Sequence, residues 1–311
     1  MAGGHKLVFF GNERLATGLS TDAPIFRSLL AEGYDIVGLV VAQKPVSPSR
    51  KARNPEIVEV AESNNVPVLA PTKLSEAVDD IKALGADIAV LVAYGKIVPQ
   101  AILDIFPKGI INIHPSLLPK HRGPTPLESV ILSNDSETGV SIMQLAPEMD
   151  AGPVYTQKKV SLDGTETKQA LADKLIAIGK GLLEQHLPAI IDGTLEPEKQ
   201  SGKPSYDQLI DKSAAILDFN KDAPELEREV RAYAGWPRSR CKIGTHDIII
   251  TQAHVTEGSG VMGTLHLDGN SIGIYAGNGI LVFDKLIPPG KKEMDTHSFM
   301  AGYHPVDGFN Y

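Results

Sequence analysis

Asn112 and His114 stand two residues apart in the apolar run Ile110-Ile-Asn-Ile-His114, so on an extended strand both side chains leave the same side. Burying such a polar pair without partners costs on the order of a few kcal/mol. One reading is a hydrogen-bonded pair of core residues at a strand end. The other is chemical: a carboxamide that donates to a developing oxyanion, beside an imidazole that moves a proton. Further on, Asp150 stands in Glu148-Met-Asp-Ala-Gly152. It reads either as a turn aspartate or as the carboxylate that orients and charges the histidine. Ser116 is a tempting nucleophile, but nothing resembling a nucleophile elbow surrounds it. No G-x-G-x-x-G follows the first apolar run, and Gly290-Lys291-Lys292 lacks the upstream glycine and hydroxyl of a phosphate loop. The nine histidines occur without H-E-x-x-H, and Cys241 is the one cysteine, so no metal site is expected.

Those side chains need a frame to hold them. Lys6–Phe10, Asp35–Val41, Val66–Leu69, Asp87–Ala93 and Ile110–His114 predict strands. Helices are predicted between them: one capped by Asp22 with Pro24 in its first turn and stopped at Gly33, one opening at Asn54-Pro55-Glu56, one over Ser75–Leu84, and a short one near Ile102. Strands that are apolar throughout and separated by helices indicate an α/β fold: an open, mostly parallel, Rossmann-like sheet with helices on both faces. Such sheets bind ligands beyond their strands' carboxyl ends, where Gly11-Asn12, Tyr94-Gly95 and Asn112–His114 all fall. A long helix over Thr167–Leu187 closes this region, expected to be a catalytic domain of residues 1–191. Residues 192–205 offer little to bury and read as a linker. After them come a helix near Ala223–Ala234 and five short strands, Ser239–Ile243, Asp247–Val255, Gly263–Leu267, Ser271–Ala276 and Gly279–Phe283. These predict a small OB-like β-barrel domain over 206–311.

Thirty basic against 38 acidic side chains give a net charge of −8, which argues against a protein that coats nucleic acid while leaving room for a local basic patch. Gln43–Asn54 supplies one: a Pro/Ser loop with Lys44, Arg50, Lys51 and Arg53 and no acid. It reads as a solvated loop or as a segment that orders against RNA phosphates. One cysteine fits a reducing compartment, and no apolar run approaches membrane-spanning length, so a cytoplasmic protein is expected.

The segment from Asn112 through Ser116-Leu-Leu-Pro119, with the distant Asp150-Ala-Gly152, resembles the signature of the 10-formyltetrahydrofolate-dependent formyltransferases. Val92-Ala-Tyr-Gly95, Pro119-Lys-His-Arg-Gly123, Trp236-Pro237 and Pro289-Gly-Lys-Lys292 extend the resemblance to nearly the whole chain and to the tRNA-directed branch of that family. The resemblance implies 10-formyltetrahydrofolate as co-substrate, initiator methionyl-tRNA as acceptor, and no metal. It implies a catalytic trio of Asn112, His114 and Asp150, with folate contacts at Val92, Ala93, Tyr94, Gly95, Ser116, Leu117, Leu118 and Pro119. RNA contacts would fall on Lys44, Arg50, Lys51, Arg53, Arg238, Lys291 and Lys292, and the protein is expected to act as a monomer. Two other readings stay open: a formyltransferase acting on an amino-sugar nucleotide, and a folate- or RNA-binding module without catalysis. The chain departs from the branch at Gly11-Asn-Glu-Arg-Leu15, where Gly-Thr-Pro-Glu/Asp-Phe is usual, at Pro115, at His121, and in a shorter basic loop.

Overall fold

The computed structural model describes residues 5–16, 18–19, 21–42, 55–269, 271–303 and 305. Its chain forms two compact units. The described residues up to Pro126, with 137–161 and 172–208, make the first; 127–136, 162–171 and those from Leu209 onward make the second. The elements up to residue 191 are β1 (Lys6–Gly11), α1 (Pro24–Ala31), β2 (Asp35–Val40), α2 (Glu56–Ser63), β3 (Val68–Leu69), α3 (Val78–Ala83), β4 (Ile88–Val92), α4 (Gln100–Leu103), β5 (Ile110–His114), α5 (Pro126–Leu132), β6 (Glu137–Gln144), β7 (Val154–Ser161) and α6 (Lys168–Ile191).

The sheet runs β3-β2-β1-β4-β5-β6-β7. Its first five strands are parallel, and β6 and β7 add an antiparallel edge. Strand order reverses between β1 and β4, which opens a crevice at their carboxyl ends. There Gly11 pairs with Val92; at φ +114° and hard against the Val92 carbonyl, it has no room for a Cβ. On the far side α6 lies close over β5, because a Cβ on Gly179 would come 2.8 Å from Ile113. Ile113 faces α6, so Asn112 and His114 point to the other side of the sheet.

Two expectations need correction, and one stretch holds elements that the sequence reading did not set out. The residue before α1 is Ala23, in a left-handed conformation, and not Asp22; the cap is a carboxylate from further back in the chain, Glu13. The chain between β5 and the long helix contains α5, β6 and β7; the last is largely exposed with two lysines, so it carried little apolar signal. Residues 192–205 are not a free linker but pack on the first unit, where Glu198 exchanges backbone hydrogen bonds with Val154 at 2.7 and 2.9 Å.

The second unit holds α7 (Ala223–Ala232), β8 (Arg240–Ile243), β9 (His246–Thr256), β10 (Leu265–Asp268), β11 (Ser271–Tyr275), β12 (Ile280–Ile287), β13 (Met294–Asp295) and α8 (Thr296–Tyr303). The OB-like region is a curled antiparallel sheet, β10-β11-β12-β9-β8, with β13 on β12. It closes over a core that includes Leu226 and Val230 of α7 and Phe299 of α8. Cys241 lies in that core, where burial pushes its thiol far above the usual range. Residues 127–136 and 162–171 join this unit through polar contacts. Arg231 donates to the Glu166 carbonyl (2.8 Å), and Lys168 Nζ reaches the Trp236 carbonyl (3.0 Å) and Glu128 (3.3 Å). Among the described residues no helix is long and apolar enough to cross a membrane, and no group of three His, Cys, Asp or Glu could hold a metal ion.

Candidate active site

β5 delivers Asn112 and His114, which are 6% and 4% exposed, to the carboxyl edge of the sheet. The Nε2–H of His114 donates to the backbone carbonyl of His121 at 2.8 Å. A carbonyl only accepts, so Nε2 must carry a hydrogen, and Nδ1 is the nitrogen at which the neutral ring can take up a proton. Nδ1 lies 3.8 Å from Oδ2 of Asp150. Asp150 sits in the loop between β6 and β7 at φ +48°, and the same Oδ2 accepts the Gly123 N–H at 2.7 Å. Gly123 has φ +119°, and a Cβ there would stand 2.6 Å from the Asp207 carbonyl, so only glycine brings its N–H to the carboxylate. The amide, imidazole and carboxylate anticipated from the sequence thus lie on one edge of one sheet.

Ser116 is fully buried, and its hydroxyl donates to the Lys120 carbonyl at 2.6 Å. Its own carbonyl accepts the Ser141 hydroxyl (2.6 Å), Leu118 N–H donates to Ser141 Oγ (3.2 Å), and Gln157 donates to the Leu118 carbonyl (2.8 Å). These bonds fix residues 116–119, with Ser116 as a staple; the Leu118–Pro119 peptide is cis. Leu117 and Pro119 are half-buried, and Leu118 is buried. Beyond β4, Ala93 and Gly95 offer surface, both at positive φ, whereas Val92 is buried and the Tyr94 ring packs edge-on against Phe10. Burial raises the Tyr94 phenol above its ordinary pKa.

Several polar residues that hold these loops and helix α1 escaped the sequence reading. Glu13, fully buried, accepts the N–H groups of Ile25 (2.9 Å) and Phe26 (2.6 Å) at the start of α1. Its pKa is pushed up to about 7, because burial outweighs those two bonds. His121 supplies the carbonyl that orients His114, and its ring pairs with Asp207 at 3.0 Å. Arg122 is buried and bonded to Gln200 and Tyr206. A polar loop between prolines was the one available signal, and it did not say which atoms meet.

Of the residues expected to meet RNA, Lys44, Arg50, Lys51 and Arg53 lie outside the described residues. Arg238, Lys291 and Lys292, in the second unit, are exposed.

Known families and proteins match most of the chain. Residues 17–187 match the family model for formyl transferase, and 209–304 that for the formyl transferase C-terminal domain. A methionyl-tRNA formyltransferase of Myxococcus xanthus is 35% identical, covering 97% of this chain and 96% of its own. One of Chloroflexus aurantiacus is likewise 35% identical, covering 96% and 97%. Among solved structures, an N-formyltransferase of Helicobacter canadensis in complex with folinic acid and dTDP-3-aminofucose superposes with a TM-score of 0.65. It is 18% identical and covers 94% of this chain and 100% of its own, a likeness of fold. The chain that carries Asn112, His114 and Asp150 on this sheet edge belongs to the formyl transferase family.

Proposed function

We propose that this chain transfers the formyl group of 10-formyltetrahydrofolate to the free α-amine of initiator methionyl-tRNA. The observation that carries the reading is the His114–Asp150 pair, 3.8 Å apart beside Asn112 at the edge of the sheet. Near full-length relatives named for this activity support it. The donor set suits a formyl carbonyl, whose oxygen needs a hydrogen-bond donor while the incoming amine needs a base.

The reaction joins the amine nitrogen to the formyl carbon, breaks the bond from that carbon to the folate nitrogen, and moves one proton from the first nitrogen to the second. Asn112 donates to the formyl oxygen as negative charge builds there; one such donor is worth about 3–4 kcal/mol of barrier. His114 takes up the amine's proton at Nδ1, and Asp150 steadies the imidazolium. At 3.8 Å Nδ1 and Oδ2 make no direct hydrogen bond, and the amine's proton reaches Nδ1 from one side of the pair, directly or through a water. His114 keeps its Nε2–H on the His121 carbonyl throughout, so the ring need not turn. Ser116 to Pro119 and Val92 to Gly95 line the folate, with Leu117, Pro119, Ala93 and Gly95 giving surface. Lys44, Arg50, Lys51, Arg53, Arg238, Lys291 and Lys292 meet the RNA. The protein acts as a cytoplasmic monomer and uses no metal.

The test is to incubate the protein with 10-formyltetrahydrofolate and either methionyl-tRNA or an amino-sugar nucleotide, and to follow the formyl group. Transfer to the tRNA is expected. Transfer to the sugar alone would overturn the assignment, and tight binding of folate or RNA without transfer would make the chain a binding module.

A further inference from the structure

Residues 198–208 run beside both loops of the site. Beyond the Glu198–Val154 pair, Ser205 Oγ accepts the His121 N–H (2.8 Å), the Ser205 carbonyl accepts the Arg122 N–H (2.9 Å), and the Asp207 N–H donates to the Arg122 carbonyl (2.7 Å). Gln200 lies in this strap, half-buried, with its amide used at both ends. Its Nε2 donates to the backbone carbonyls of Asp150 (2.7 Å) and Gly152 (2.8 Å). Its Oε1 accepts from Nε (3.1 Å) and a terminal nitrogen (2.7 Å) of Arg122. The orientation is forced, since backbone carbonyls only accept and a guanidinium only donates. Arg122 is held in turn by the Tyr206 hydroxyl (2.8 Å), with its guanidinium 5.5 Å from that ring's centre.

This chain of hydrogen bonds ends on the main chain of a residue at φ +48°, a conformation that L-residues adopt only when their surroundings hold it. The Gly123 N–H fixes the carboxylate of Asp150, but nothing in that bond fixes the turn from which the carboxylate projects. We infer that Gln200, held by Arg122, is a positioning residue: it sets the backbone turn that aims Oδ2 of Asp150 at Nδ1 of His114. The inference rests on the reading of Asp150 as half of the proton-moving pair.

The test is a cycle of kcat and KM measurements on wild type, Gln200→Ala, Asp150→Asn and the double variant, with Gln200→Glu alongside. Gln200→Ala should lower kcat by between about tenfold and about a hundredfold, as a shift of a catalytic group of about 1 Å does. KM for both substrates should stay within about twofold, because ground-state contacts are untouched. Gln200→Glu should be at least as slow: it keeps an acceptor for Arg122 but turns an anionic oxygen toward two carbonyls. In the Asp150→Asn background, Gln200→Ala should cost nothing more, since its effect passes through the carboxylate. A wild-type kcat for Gln200→Ala, or equal losses in both backgrounds, would overturn the positioning role and leave the site reading intact. Asp150→Asn at the wild-type rate would overturn the site reading itself. If Gln200→Ala does not fold, Gln200→Asn, one methylene shorter, goes through the same cycle with the same criteria.

Discussion

Because Nε2 of His114 is committed to the His121 carbonyl, the ring exchanges protons only at Nδ1, on the side where Asp150 waits. Removing either partner therefore removes the same function. His114→Ala and Asp150→Ala should each lower kcat at least about a hundredfold, the usual worth of positioned acid–base help. Asn112→Ala should cost about 3–4 kcal/mol of barrier, the worth of one oxyanion donor. Single-turnover formyl transfer with the folded variants checks both, and near-normal rates would remove these residues from the chemistry. At this scale the sequence was informative where side-chain identity matters: an amide and an imidazole two apart on a strand, and a carboxylate before Ala151-Gly152. It was silent where main-chain atoms do the work. The acceptor that sets the histidine tautomer is the carbonyl of residue 121, and the donor to Asp150 is the N–H of residue 123; neither depends on a recognisable side chain.

Elements are held in place by buried polar groups, and these give two predictions. Glu13 caps α1 from twelve residues away while wholly buried, and burial lifts its pKa from 4.5 to about 7. The folded chain then binds this proton more tightly than the unfolded chain. Its contribution is fully present below about pH 4.5 and is lost as pH rises through about 7, a difference of roughly 3 kcal/mol. The thermal midpoint of wild type should fall relative to that of Glu13→Gln between about pH 5 and about pH 8, and parallel curves would deny Glu13 the proton. In the second unit Lys168, 0% exposed, joins the start of α6 to Glu128 of α5 and to the Trp236 carbonyl. Burial lowers its pKa against the pull of Glu128. Lys168→Met would leave that carboxylate buried without its cation and should cost about 3–5 kcal/mol by urea denaturation, whereas Lys168→Met with Glu128→Leu should recover most of the loss. The helices and strands up to β5, with α6, α7 and the barrel strands β8 to β12, were legible from period and punctuation, whereas α5, β6, β7, β13 and α8 were not. The Glu13 cap was not, because Asp22 stands where a local cap belongs and the carboxylate that reaches the helix comes from the preceding loop.

At the scale of the molecule, packing does not divide the chain where composition changes. Residues 127–136 and 162–171 belong with the second unit and 192–208 with the first, so neither unit is a continuous stretch of sequence. The polar run at 192–205 looked like a linker because it buries almost nothing apolar, yet its amides and hydroxyls meet the loops of the site, a use that hydropathy cannot register. The net charge of −8 is equally poor at locating an RNA surface, since it averages over clusters. Two groups of basic residues compete: Arg50, Lys51 and Arg53 in the sequence before α2, and Arg238, Lys291 and Lys292 in the second unit. Part of the second group's neighbourhood is already spent on the fold, since Arg231 forks onto Glu227 and Arg240 faces Asp247. Every cation withdrawn from an RNA phosphate should flatten the plot of log binding constant against log salt by about 0.7–0.9. Neutralising Arg50, Lys51 and Arg53 together should therefore lower the slope by about 2, raise the apparent KM for methionyl-tRNA, and leave KM for folate unchanged. If the slope instead stays put and drops only when Arg238, Lys291 and Lys292 are neutralised, the RNA is held by the second unit, and Arg50, Lys51 and Arg53 take no part in holding it.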